Sequence, residues 1–285
     1  MSVKTSLIRN TNHATFDCRC FATKRNWSQI LRLFWGLTLL LLGLAACDPD
    51  ANVPDPGAVS APENCRAVNH LGDAYSVCSF AVTAHDIRLF HSDAEGAPFF
   101  QFSTLERELD EQGETLVFAM NGGMYHDDRR PVGFFRDGFG DQASVNTNDG
   151  PGNFHLKPNG VFWLMADMSG VTESQAFLDQ GLDPVYATQS GPMLVVDGDL
   201  HPGLNPEGTS RRRRNGVGVS ADGQIVHFAI SDSAVTFHEF ATLFRDEIGV
   251  PNALFLDGQV SRIYAPEIDR NEIGADMGPI VGVVQ

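Results

Sequence analysis

Lysine is almost missing from this sequence: there are three in 285 residues, and only Lys157 lies beyond position 46. The whole chain holds 20 basic against 36 acidic residues, a formal net charge of −16, and past residue 46 the balance is 14 against 35, or −21. A surface this acidic repels a phosphate backbone, which excludes nucleic acid as a partner. A lone lysine kept against that background makes Lys157 a position to test first. The chain also lacks an apolar run of about 20 residues, the length a membrane-spanning helix needs. Its longest such run, residues 33–46, is interrupted by Cys47, Asp48, Pro49 and Asp50. There is no internal repeat and no low-complexity tract. The Gly-x-Ser-x-Gly elbow of many serine hydrolases is absent, because Thr188 and Gly191 do not supply it around Ser190. No His-x-His or comparable pair accompanies His126, Asp127 and Asp128, so a transition-metal centre has weak support.

What is present at the start is an export signal. Arg9, Arg19, Lys24, Arg25 and Arg32 precede the apolar run, the layout of a signal peptide. The run ends in Leu44-Ala45-Ala46-Cys47, which resembles a bacterial lipobox. That resemblance implies cleavage before Cys47 and acylation of its thiol, and two or more acyl chains anchor stably where one does not. Residues 1–46 are therefore expected to be a lipoprotein signal peptide. Residues 47–63, rich in Pro, Asp, Ala and Gly, read as a flexible tether, and 64–285 as the working domain. The expected location is the bacterial cell envelope, facing the periplasm, with the membrane as a partner through the lipid on Cys47. Cys65 and Cys78 then remain as two thiols a short loop apart in an exported chain, and a disulfide there would contribute about 3 kcal/mol. A metal-ligand role for them has no third partner nearby.

Short strand candidates dominate the domain: 75–82, 87–91, 115–120, 160–165, 193–196, 216–220, 224–231, 253–256 and 280–284. Asp197-Gly198 and Asp222-Gly223 separate neighbours and read as hairpin turns. Two helices are expected, one opened by Ser103 with Glu106 and one by Thr236 with Glu239, each in capping-box spacing. In the second, Phe237, Phe240, Ala241, Phe244 and Ile248 recur on one face. Hairpins with a few helices predict a single α+β domain of mixed, largely antiparallel sheet.

Several polar turns follow the apolar runs. Asn121-Gly122-Gly123-Met124-Tyr125 is either an ordinary turn or a place where a ligand approaches backbone amides past the two glycines. Lys157-Pro158-Asn159-Gly160 is a turn by its own chemistry, and the ammonium of Lys157 suits a phosphate or a sugar oxygen unless it is simply solvated. Gln189-Ser190-Gly191-Pro192 offers hydrogen-bonding groups. In the run Arg211 to Arg214, the first three read as a solvated loop or a processing site. Arg214 abuts the strand beginning Asn215-Gly216, where a guanidinium could reach a phosphate in bidentate geometry. Asp257-Gly258-Gln259-Val260-Ser261 ends an apolar strand in a carboxylate, a frequent setting both for a catalytic group and for a turn. Glu239 is explained by its capping box.

In this order, the five motifs resemble the phosphodiester glycosidase family over about 116–264. The resemblance implies an α+β domain and hydrolysis of a sugar-1-phosphodiester without a cofactor. Its expected partner is a phosphodiester-linked glycan. Many relatives have Asp-Gly-Gly-Gly-Ser where this chain has Asp257-Gly258-Gln259-Val260-Ser261, which reshapes that loop and leaves the substrate of the animal relatives behind. Bond breaking at the anomeric carbon expels a phosphate monoester, already a stable anion, so strong acid assistance is less necessary than in ordinary glycosidases. A carboxylate for the developing positive charge and cations for the phosphate are still needed. The expected catalytic residues are Asp257, Arg214 and Asn121. Gly122, Gly123, Lys157, Asn159, Gln189, Ser190, Asn215 and Ser231 are expected to contact substrate. Two rivals are a glycan- or peptidoglycan-binding lipoprotein without activity, and a metal-dependent phosphodiesterase centred on His126, Asp127 and Asp257.

Overall fold

The computed structural model describes residues 63–257 and 260–285. The expected signal peptide, Cys47 and nearly all of the tether lie outside the described residues. Among the described residues, three antiparallel sheets share one large core. The first has seven strands, with Asp73–Ala81, Ile225–Ser231, Asn215–Val219 and Asn252–Asp257 side by side at its centre. The second has five, with Leu116–Asn121 and Ile280–Val284 in the middle, and the third has five, with Tyr186–Ser190 and Gly160–Leu164 in the middle. Phe80, Phe228, Leu254 and Leu256 of the first sheet meet Phe118, Val281 and Val283 of the second and Phe162 of the third.

Each sheet also has a helix against its other face. Helix Phe102–Glu111 buries Phe102, Leu105 and Leu109 against the second sheet, and Ser174–Gln180 places Phe177 beside Val161 and Trp163 of the third. Helix Phe237–Thr242 continues into a wider π-helical turn, Leu243–Ile248, and packs Phe240 and Phe244 on the first. Central strands therefore have two covered faces, which is why Gly160–Leu164 and Ile280–Val284 are buried at every residue instead of alternating.

The expected α+β domain of largely antiparallel sheet is what the fold is, and all nine expected strands are present, Met193–Val196 and Ile280–Val284 with the expected bounds and the other seven with shifted ends. Asp197 and Gly198, with φ of 50° and 89°, form the expected two-residue hairpin turn. Thr236 and Glu239 close a capping box, the hydroxyl accepting from the Glu239 amide and the carboxylate from the Thr236 amide. The Ser103–Glu106 box does not form. The first helix starts at Phe102 with Gln101 as its cap and no side-chain cap bond, and Glu106 instead accepts from the Tyr264 hydroxyl. Cys65 and Cys78 face each other across neighbouring strands and are joined by a disulfide.

Candidate active site

Five strands from all three sheets bring polar residues to one place. Asn121, Ser190, Ser231 and Asp257 are each the last residue of a strand, and Asn215 is the first residue of its strand, which runs antiparallel to those of Ser231 and Asp257. A bulge sets the carboxylate: Asn215 pairs with Asp257 and Gly216 with Phe255, leaving Leu256 as the extra residue. Bulges re-aim the side chains that follow them. Above these strand ends opens a cleft of about 780 Å³, lined among others by Tyr125, Arg129, Asn153, Arg212, Arg214 and Asp257.

A network of buried amides holds Asp257 from below. Its backbone N–H donates to Asn215 Oδ1 at 2.8 Å, its carbonyl accepts from Ser261 Oγ at 2.7 Å, and its Oδ2 accepts from Asn121 Nδ2 at 3.4 Å. Asn215 Nδ2 donates to the Asn121 carbonyl at 3.1 Å, and Asn121 Oδ1 accepts from the Arg262 amide at 2.7 Å. Ser190 Oγ donates to the Leu256 carbonyl at 3.1 Å. Asn121, Asn215 and Ser190 are fully buried, whereas Asp257 keeps 8% of its surface and lines the cleft. A network satisfied in this way fixes the position of the one member that reaches the cleft.

Arg214 is the other half of the site. It is 1% exposed, and its charge has no carboxylate partner among the described residues. Nε donates to the Val235 carbonyl and Nη2 to the Ser210 carbonyl, each at 2.9 Å, and the guanidinium lies 3.6 Å over the centre of the Phe237 ring. Ser231 Oγ accepts from the Arg214 amide at 2.9 Å. Burial pulls the Arg214 pKa down to about 10, and the nearby charge of Arg212 pushes the same way. The group stays cationic at neutral pH. A buried cation held by carbonyls and an aromatic face, with Glu239 favouring its charge but ion-paired to Arg211 instead, is suited to receive an anion. Tyr125 shares the cleft: burial, then the negative charge of Asp257, push its pKa up to about 12.

Among the expected site residues, Asp257 and Arg214 both line the cleft, whereas the others are absent from its lining. Gln189 lends its amide to the fold: Oε1 accepts from the Phe134 and Asn146 amides, and Nε2 donates to the Asn146 carbonyl and Ser174 Oγ. That fills the amide's usual hydrogen-bonding capacity. Asn159 Nδ2 donates to the Phe154 carbonyl, fixing the short turn that carries Asn153 into the cleft. The two glycines make room for the chain itself. A Cβ on Gly122 would sit 2.8 Å from the Ile280 backbone, and one on Gly123 would sit 2.6 Å from Thr188 Oγ1. Lys157 stands at the surface outside the cleft lining, its ammonium 2.7 Å from both Asp149 Oδ1 and the Thr147 carbonyl. Nor is the arginine run a plain solvated loop: Arg211 bridges Asp73 and Glu239, and Arg213 meets Glu272.

Tyr125, Arg129, Asn153 and Arg212 line the cleft although the sequence predicts no substrate contact for them, and Arg212 is expected instead in a solvated loop or processing site. Tyr125 was within reach, as the last residue of the Asn-Gly-Gly-Met-Tyr motif. His126 and Asp127 also line the cleft, yet the described residues assemble no group of three His, Cys, Asp or Glu side chains that could hold a metal ion. The donor set required by the metal-dependent rival is therefore not brought together by these residues.

A family model described as phosphodiester glycosidase matches residues 114–275. The chain is 31% identical over 233 residues to the uncharacterized protein YigE of Escherichia coli strain K12, covering 82% of this chain and 84% of that one. Among solved structures, the catalytic domain of zebrafish N-acetylglucosamine-1-phosphodiester alpha-N-acetylglucosaminidase, auto-inhibited by its pro-peptide, is similar with a TM-score of 0.52. The match has 13% identity and covers 77% of this chain and 81% of that one. A hypothetical protein from Synechocystis is similar at the same TM-score with 14% identity, over 77% of this chain, which spans 61% of that protein's length. Both likenesses concern the fold.

Proposed function

Because the chain belongs to the phosphodiester glycosidase family, we propose that it hydrolyses a sugar-1-phosphodiester at the bond between the anomeric carbon and oxygen. The observation that carries this reading is the pairing, in one cleft, of a carboxylate held by buried amides with a buried arginine that has no acidic partner among the described residues. In the reaction the C1–O bond breaks, and its electron pair leaves with the phosphate monoester. Water supplies the hydroxyl that ends on C1, and its remaining proton passes to solvent. Asp257 stabilises the positive charge that develops on the sugar, and Arg214 donates to the phosphate oxygens, so each group acts where charge changes most. Asn121 acts through Asp257, by orienting its carboxylate. Asn215, Ser190 and Ser231 support the site from within the fold, and Lys157 is given no part in it.

The test is hydrolysis of a synthetic sugar-1-phosphodiester in ¹⁸O-labelled water. Label in the released sugar supports cleavage at carbon. Label in the phosphate would move the reaction to phosphorus and overturn the assignment of Asp257. Saturable binding with no product would instead favour a glycan-binding module.

We also propose that the domain works outside the cytoplasm on envelope glycans, tethered by lipid on Cys47. The Leu44-Ala45-Ala46-Cys47 sequence behind an apolar run supports this. Metabolic labelling with a fatty-acid analogue should mark the wild-type chain and miss a Cys47→Ser variant. Equal labelling of both would remove the anchor.

A further inference from the structure

In a chain with 36 acidic residues against 20 basic ones, an arginine finds a carboxylate easily. Arg88, Arg136, Arg211, Arg213 and Arg270 all do. The three that line the cleft, Arg129, Arg212 and Arg214, form no ion pair among the described residues, a condition they share with Arg66, Arg107 and Arg262 elsewhere; what sets the three apart is that they face one cleft. Each reaches a backbone carbonyl instead, Arg129 that of Asp127 at 3.2 Å and Arg212 that of Arg211 at 3.0 Å. Among the described residues the lining holds these three arginines against two aspartates, Asp127 and Asp257, so there the cleft reverses the charge sign of the molecule around it.

The loops that carry Arg129 and Arg212 are fixed in place. Arg129 sits at φ 70°, a left-handed conformation unusual for a residue with a side chain. Its amide donates to the His126 carbonyl at 2.8 Å, and its own carbonyl accepts from Nε2 of the buried His91 at 3.0 Å. Arg212 exchanges two backbone hydrogen bonds with Val235, at 3.0 and 2.8 Å, and Val235 is the residue whose carbonyl also receives Arg214 Nε. Cations on positioned loops lose little freedom when an anion arrives.

A phosphodiester carries a single negative charge, and Arg214, buried and aimed at the cleft, matches it alone. We propose that Arg129 and Arg212 form a second anion subsite, so that the substrate is a sugar-1-phosphodiester whose leaving portion bears a further phosphate. This rests on the hydrolase reading above. Phosphate is the fitting anion because guanidinium groups engage it through paired, charge-assisted hydrogen bonds.

The experiment compares two sugar-1-phosphodiesters with the same sugar, one with a neutral alcohol as leaving portion and one with the same alcohol phosphorylated. The full domain should favour the phosphorylated ester in kcat/KM by about tenfold or more, the factor that one charge-assisted hydrogen bond supplies. The preference should shrink as salt is added. Arg129→Gln with Arg212→Gln should bring the ratio near one, whereas Arg129→Lys with Arg212→Lys, which keeps the charge, should restore most of it. Equal kcat/KM for the two esters, or a preference that the glutamine pair leaves intact, would overturn the proposal. A second arm needs no turnover: calorimetry with inorganic pyrophosphate and with inorganic phosphate on the same proteins. Pyrophosphate should bind the wild type more tightly than phosphate and lose that advantage in the glutamine pair. An unchanged advantage would overturn the subsite. If neither ester is cleaved, the hydrolase reading falls while the pyrophosphate arm still decides the subsite.

Discussion

Arg213 and Arg214 are neighbours in sequence and opposites in situation. Arg213 reaches Glu272, which Arg270 also grips, and Glu272 in turn accepts from the Ile263 amide. Arg214 points into the cleft, sits on Phe237 and meets no carboxylate among the described residues. The first arrangement ties the strand Asn215–Val219 to the segment around Ile263 and stabilises the fold. The second carries a desolvation cost that the fold alone does not recover. Two identical side chains thus separate the part of the molecule that keeps its shape from the part that the proposed function assigns to the substrate, and changes in each should have different signatures.

The largest effect is expected at Asp257. Asp257→Asn keeps an acceptor for Asn121 Nδ2 and the same volume, so the variant should fold with an unchanged melting temperature. Its kcat/KM on a sugar-1-phosphodiester should fall by about three orders of magnitude. Wild-type turnover by the folded variant would remove the carboxylate from the chemistry. Next comes Arg214→Met, which should lower kcat/KM by about two to three orders of magnitude. Its effect on stability should run the other way: the melting temperature should hold or rise by about 1–4 °C, because a buried unpaired charge is replaced by an apolar chain. The carbonyl of Val235 keeps the Arg212 amide as a donor, so the change leaves it paired. A large loss of stability would show that Arg214 belongs with Arg213, as part of the framework.

The same contrast explains what the sequence makes visible. Strands such as Ile280–Val284 announce themselves as continuous apolar runs because both of their faces are covered. Tyr186–Ser190 is just as central and, from Ala187 on, just as buried, yet it carries Thr188, Gln189 and Ser190, and no period of two survives in it. Its polar residues are there to clamp the 134–146 segment and to support Leu256 next to the carboxylate. A site built from buried polar groups thus erases the local signal of the strand that builds it. Asp257 and Arg214 are legible because each sits where an apolar strand meets a polar turn. Arg129 and Arg212 are not, since only pairing between distant strands brings their loops over the same cleft. Ser103 misleads for a local reason: the helix gains an apolar contact by starting at Phe102, which packs near Tyr264, and the hydroxyl loses the cap position.

On the framework side, the disulfide should matter more than any single ion pair. Replacing Cys65 and Cys78 by alanine opens a loop whose ends are 13 residues apart. The expected cost is about 3 kcal/mol, or roughly 6–12 °C in melting temperature for a domain of this size. Hydrolysis measured well below the transition should be retained, since neither residue lines the cleft. Lost activity in a folded variant would mean that the bridge reaches the site.

The smallest effect separates the two regions by pH. In Glu272, burial works to raise the pKa, but hydrogen bonds from Arg213 and Arg270 override it and hold the carboxylate below its ordinary 4.5. A carboxylate whose pKa is depressed by folding contributes stability that is fully present above its unfolded value and is lost as pH falls through its folded one. Glu272→Gln removes that contribution, so at pH 7 the variant should be less stable than the wild type by about 1 kcal/mol, a modest figure because both ion pairs are partly solvated. The gap should close in acid, below 4.5, as the wild-type carboxylate takes up its proton. Urea midpoints of the two proteins across that range measure it. A gap that persists unchanged in acid would assign the stabilisation to the hydrogen-bonded shape of Glu272 instead of its charge, and would leave Arg213 as little paired, in energetic terms, as Arg214.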